Sequence, residues 1–152
     1  MKNLSNQRDK QEVLDRLHQL KSESQRHWGR MTAHQMVCHL SDAFRSAMSE
    51  ETITPGGNPL YQTVVKWIAL QVPIPWPKGV KTRPEVDQEI GGTRPVDFER
   101  DKQELEVLVE RFTAKERDFK WHAHSLFGRM TEKEWYRWGY LHLDHHLRQF
   151  GA

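Results

Sequence analysis

Between residues 72 and 95 the chain carries five prolines and three glycines, and no long regular element can run through such a stretch. Proline lacks an amide donor and clashes with the preceding turn of a helix, so the Val-Pro-Ile-Pro-Trp-Pro run at 72–77 must end any helix that reaches it. Helices are therefore to be sought on either side. Trp76, Val80 and Val86 supply apolar anchors, which suits an ordered crossover lying over those helices. A connection of this length is unusual in a compact domain and often functional, for instance as a pocket cover. A plain connector is the competing reading.

On the N-terminal side, residues 5–24 place Val13, Leu14, Leu17 and Leu20 on one helical stripe. Thr32-Ala33-His34-Gln35 is a capping box that opens a second helix, running to about residue 48. His39 lies on that helix, with the small residues Ala43 and Ser46 projecting in nearly its direction. Residues 50–59, with Pro55, Gly56 and Gly57, read as a loop, and residues 60–71 as a short helix. Beyond the crossover, residues 97–114 repeat the helical pattern through Phe98, Leu105, Leu108, Val109 and Phe112. Residues 115–129 connect to a second capping box, Thr131-Glu132-Lys133-Glu134, which opens the last helix. No strand pattern competes. The expectation is an all-α single domain over residues 1–152. Its economical form is an antiparallel four-helix bundle, with the proline-rich crossover between long helices two and three.

Charge excludes one function class. The chain has 23 basic and 21 acidic residues and no dense basic run, so it lacks the electrostatic footprint of a nucleic-acid binder. Residues 1–10 lack the apolar core of a signal peptide, and the longest apolar stretch, 64–76, holds a lysine and two prolines. No membrane span is expected, and the expected setting is the cytoplasm. Cys38 is the single cysteine, so there is no internal disulfide.

The last helix carries the candidate chemistry. His142 and His146 are four residues apart, which places both rings on one face about 6 Å apart along the axis. Trp135, Trp138 and Gln149 fall near the same face, so the setting is sheltered. Two neutral imidazoles at this spacing can hold one divalent metal, and in a bundle His39 on the second helix is the natural third ligand. The alternative is a pair of helix histidines hydrogen-bonded to backbone or carboxylates.

The stretches Trp28-Gly29-Arg30-Met31-Thr32-Ala33-His34-Gln35-Met36-Val37-Cys38-His39-Leu40 and His124-Ser125-Leu126-Phe127-Gly128, with His142 through Gly151, are similar to the DinB/YfiT-like superfamily of bacterial metal-binding four-helix bundles. The likeness is to a subgroup without an assigned reaction. That superfamily holds its metal on one histidine of the second helix and a His-x-x-x-His pair of the last. The resemblance implies His39, His142 and His146 as metal ligands. Characterised members are thiol-dependent transferases and isomerases, which implies a small-molecule substrate and a low-molecular-weight thiol as cosubstrate. The crossover at 72–95 and the end of the chain directly after the last helix depart from better-known members.

The expected function is thus metal-assisted chemistry on a small molecule, with thiol transfer first and hydrolysis behind it. The competing class is a non-catalytic protein in which the metal fastens two helices. Zinc and nickel lead among the metals that imidazoles suit, with manganese and iron behind. A homodimer stays open. Further assignments are made by position. His124 either reaches the pocket mouth or anchors its loop. Asp42, one turn from His39, either orients that ring or is an exposed helix aspartate. His145 points about 100° away from His146 and reads as packing or surface, Cys38 as a buried structural thiol, and Trp135 and Trp138 as core. No spacing selects a general base.

Overall fold

Five α-helices and one 3-10 turn make up the regular structure of the described residues, 1–48 and 58–152 of a computed structural model. The helices are α1 (Gln7–Gln19), α2 (Ala33–Met48), α3 (Pro59–Gln71), α4 (Phe98–Thr113) and α5 (Glu132–Gln149), and the turn is Pro84–Val86. Among the described residues there is no strand, only an isolated antiparallel bridge between His124 and Gly128. The all-α class holds, with five helices rather than four. The loop expected at 50–59 falls largely on residues 49–57, outside the described residues; Asn58 and Pro59 instead start α3.

Local chemistry sets the helix ends. Thr32 N donates to Gln35 Oε1 at 2.9 Å and Gln35 N to Thr32 Oγ1 at 3.1 Å, which is the expected capping box before α2. Thr131 and Glu134 form the second one, at α5. The recurring Gly-Arg-Met-Thr has a backbone reason: Gly29 (φ 77°) and Gly128 (φ 64°) both take the left-handed conformation just ahead of those boxes. α1 is shorter than its apolar stripe suggests. Asn6 caps it through Arg8 N and Asp9 N, and Leu20 is already extended at φ −68°, ψ 135°.

α2 is buried around most of its circumference and packs against α4 and α5, while α1 and α3 also pack on α5. Leu17, Phe44, Leu105, Phe112, Trp135 and Leu147 are among the fully buried residues of this core. Phe112 sits at its aromatic centre, edge-on to Phe44 at 4.8 Å and to Trp121 at 4.7 Å between ring centroids. α3 behaves differently: it buries Leu70 and leaves Leu60, Tyr61, Trp67 and Ile68 exposed. No described helix is long and apolar enough to cross a membrane.

The segment after α3 is an ordered crossover rather than a plain connector. Trp76 Nε1 donates to the Ala69 carbonyl at 2.9 Å, which fixes its start. Farther along, Asp42 of α2 accepts from Gln88 Nε2 (3.0 Å), Thr93 N (2.8 Å) and Thr93 Oγ1 (2.7 Å). Asp87 and Gln88 are buried as a result, and the turn Pro84–Val86 is pressed against α2.

Candidate metal centre

Helical periodicity places His142 and His146 on one face of α5, and packing of α2 against α5 brings His39 to them. One ring nitrogen from each histidine lies within 4.8 Å of the other two. The ring centroids are 5.4 Å (His39–His142), 4.9 Å (His39–His146) and 5.0 Å (His142–His146) apart. His39 and His146 are buried. The three residues expected to form the site are thus together.

Hydrogen bonds orient two of the rings. His39 Nδ1 donates to the Val86 carbonyl at 2.8 Å, which leaves the Nε2 lone pair free. His146 Nδ1 donates to Gln149 Oε1 at 3.1 Å, and Gln149 Nε2 in turn donates to the Trp28 carbonyl at 2.7 Å. That second bond decides which way the Gln149 amide faces, and hence which tautomer His146 holds. Carbonyl acceptors behind imidazoles are the usual outer shell of a histidine metal site. His142 differs from its neighbours. Its Nδ1 is buried with no hydrogen-bond partner, an unmet polar group that an ion in the cluster would help to justify.

Electrostatics keeps the cluster ready for a cation. Burial pushes His39 below its ordinary value, and pushes His142 and His146 well below theirs. For His142 the neighbouring His146 adds to the effect, and for His146 the neighbouring His39 does. All three are therefore neutral at pH 7, the protonation state a ligand needs.

Beside the cluster lies a cavity of about 110 Å³, lined by His39 and His142 as well as by Arg83, Val86, His124 and Trp138. The crossover therefore forms part of its wall. His124 does reach the cavity, and its Nδ1 also accepts from Leu126 N and Phe127 N, so both of its expected roles are met. Trp135 and Trp138 are buried core residues that also line the cavity. His145 packs between Trp28 and Trp76, with centroids at 6.0 and 6.1 Å, and stands outside the cluster. Asp42 is buried but does not orient His39. Its oxygens hold the crossover, and the Val86 carbonyl on that crossover takes the orienting role.

A second group escaped the sequence reading: His34, Cys38 and Asp101 also offer three donor atoms within 4.8 Å of one another. The signal was present in the one-turn spacing of His34 and Cys38, but nothing in the sequence pointed to Asp101 on α4. Here Asp101 Oδ2 already accepts from His34 Nε2 (2.7 Å), Val96 N (3.1 Å) and Cys38 Sγ (3.7 Å). Burial and the nearby Asp101 carboxylate push the Cys38 thiol up to about 12. The group is a satisfied proton network, unlike the histidine cluster with its orphaned nitrogen.

Compared with known protein families, residues 3–152 match the family described as "Protein of unknown function (DUF1569)". No curated protein and no solved structure matches the chain.

Proposed function

The chain belongs to the DUF1569 family, and we propose that it is a divalent-metal-dependent enzyme of the DinB/YfiT-like kind, acting on a small molecule with a thiol cosubstrate. The observation that carries the reading is the convergence of His39, His142 and His146, two of them oriented by carbonyl acceptors and the third holding a buried unpartnered nitrogen. In this reading α1, α2, α4 and α5 are the four helices of the bundle, α3 is an addition to it, and zinc or nickel is the resident metal. The cytoplasm supplies the reduced thiol.

Three imidazoles, with no fourth protein ligand among the described residues, fit the pattern of catalytic rather than structural zinc sites. When bound, a divalent ion there supplies Lewis-acid activation of a thiol or of a substrate oxygen. The chain's own residues supply the rest. Val86 and Gln149 hold His39 and His146 in the ligating tautomer. Trp135 and Trp138 line the cavity with apolar surface, and His124 presents a ring to it.

Metal analysis of the purified protein and of His39→Ala, His142→Ala and His146→Ala tests the site, with one ion per wild-type chain expected. Monochlorobimane with small thiols then tests the chemistry: conjugation should need the metal and vanish in His142→Ala. Full metal content in all three variants removes the site. A loaded site that neither consumes thiol nor responds to it in the cobalt spectrum leaves a helix-fastening metal as the better account.

A further inference from the structure

We propose that the cavity beside the histidine cluster is a subsite for a small monocarboxylate of acetate to pyruvate size, its carboxylate held between His124 Nε2–H and Arg83. The inference rests partly on the metal reading, because some of the charge it needs comes from the ion.

His124 is a donor here. Its Nδ1 accepts two backbone amides, Leu126 N and Phe127 N, each at 3.2 Å, so the ring proton is on Nε2. No partner for that Nε2 is found among the described residues, and the residue lines the cavity. Stacking on Phe127, with centroids 4.4 Å apart at 14°, and edge contact with Trp138 at 5.6 Å fix the ring plane. Burial, with the nearby Arg83 charge, pushes its pKa down to about 4, so at neutral pH the ring is an uncharged N–H donor.

Arg83 is the one cationic side chain lining the cavity among the described residues. Its contact with Glu85 is 3.6 Å long between two half-exposed groups, a kind of pair worth little, so the guanidinium is free to take an anion. Glu85 lines the cavity as well and opposes a second negative charge, which selects a monoanion. Ser46 and Ser125 also line the cavity. Three neutral imidazoles leave a divalent ion its whole charge, which an incoming carboxylate offsets.

Size narrows the class further. The cavity of about 110 Å³ has room for several waters. That admits a carboxylate of a few carbons against the Ala43, Ala47 and Trp138 side of the wall.

The test uses the full-length protein, metal-free and cobalt-loaded, with pyruvate, acetamide and 2-mercaptoethanol as probes. The cobalt spectrum reports loading of the histidine site; its failure removes the metal reading and the ion's share of the charge, and leaves the His124 and Arg83 contacts to be judged in the metal-free form. Calorimetry and the His124 ring N–H resonance report entry of the carboxylate in either form. Pyruvate is expected to bind and shift that resonance in both forms, more tightly with cobalt, while acetamide does neither. Arg83→Gln should weaken pyruvate at least tenfold with cobalt loading unchanged, and His124→Phe should do the same while keeping the aromatic stack. Equal binding of pyruvate and acetamide, or no shift at His124, overturns the proposal. So does a cobalt site that answers 2-mercaptoethanol and ignores pyruvate.

Discussion

His39 Nδ1 and the Val86 carbonyl are 2.8 Å apart, although 47 residues separate them in the chain. The bond joins α2 to the 3-10 turn of the crossover, so the proline-rich segment helps set the tautomer of a candidate metal ligand. The chain's least helical stretch is thereby part of the site. Any change that loosens the crossover should be felt at His39.

Asp42 gives the first test of that link. It accepts from two crossover residues, Gln88 and Thr93, and also from Arg45 at 2.9 Å. Asp42→Ala strands those donors and should cost about 1–3 kcal/mol, the usual penalty for buried groups left unpaired. Hydrogen exchange at Asp87, Gln88 and Thr93 should rise together with the metal dissociation constant. Faster exchange with unaltered metal affinity would separate the crossover from the site.

Gln149 gives the second. It stands between His146 Nδ1 and the Trp28 carbonyl, and Gln149→Leu removes both bonds at similar size. Loss of such an outer-shell partner typically lowers metal affinity about 10–100-fold. Gly29→Ala should act in the same direction, because a Cβ there would run into the Gln149 side chain and φ is 77°. Competition titration with a chromogenic chelator measures both variants; wild-type affinity in Gln149→Leu contradicts the orienting role.

Much of this arrangement was legible in the sequence, and what was missed has a common cause. The capping boxes at Thr32 and Thr131 and the His142–His146 pair follow from spacings within one helix, where geometry is set by 3.6 residues per turn. The Val86 carbonyl, the Trp28 carbonyl behind Gln149 and the three donors on Asp101 are tertiary contacts to backbone or to distant side chains. No periodicity encodes them. Asp42 illustrates the limit. One-turn spacing made it a candidate partner of His39, and packing gave its oxygens to Gln88 and Thr93 instead. α3 is the converse case, a helix that forms locally through its Asn58 cap while leaving most of its apolar residues unburied.

The buried aromatic centre supplies a prediction that does not depend on the site. Phe112 is fully buried and touches the rings of Phe44, Trp121 and Trp138. Phe112→Ala should cost about 3–5 kcal/mol, the range for emptying an aromatic core position. Urea unfolding followed by tryptophan fluorescence reads it directly, and a loss under about 1 kcal/mol would mean the core collapses around the gap.

Acid should destabilise the metal-free protein. His39, His124, His142 and His146 all have folded-state values below the ordinary one, with burial as the leading cause. Below about pH 6.5 the unfolded chain takes up protons that the folded chain refuses, so the unfolded state binds more protons and stability falls with pH. The loss begins near the unfolded value and continues down to the folded ones, the His124 value lying at about 4. Each refused proton contributes a slope of up to about 1.4 kcal/mol per pH unit. Urea midpoints in chelator should therefore fall from pH 7 to pH 5, and a flat profile would mean these rings protonate in place.

His142 separates function from stability most sharply. Its Nδ1 is buried without a partner, so in the absence of metal the imidazole is a burden on the fold. Leucine at this position removes the unmet polar group and still fills apolar space beside Trp138, whose ring centroid lies 5.0 Å away. In chelator, His142→Leu should therefore be more stable than wild type by about 1–3 kcal/mol. Added metal reverses the order. A site at 100 times its dissociation constant stabilises the wild type by about 2.7 kcal/mol and does nothing for a variant that has lost a ligand. Denaturation of both proteins with and without cobalt gives all four values. Crossing stabilities support a residue kept for its ligand rather than for its packing, whereas a variant that is less stable under both conditions shows that His142 earns its place in the core.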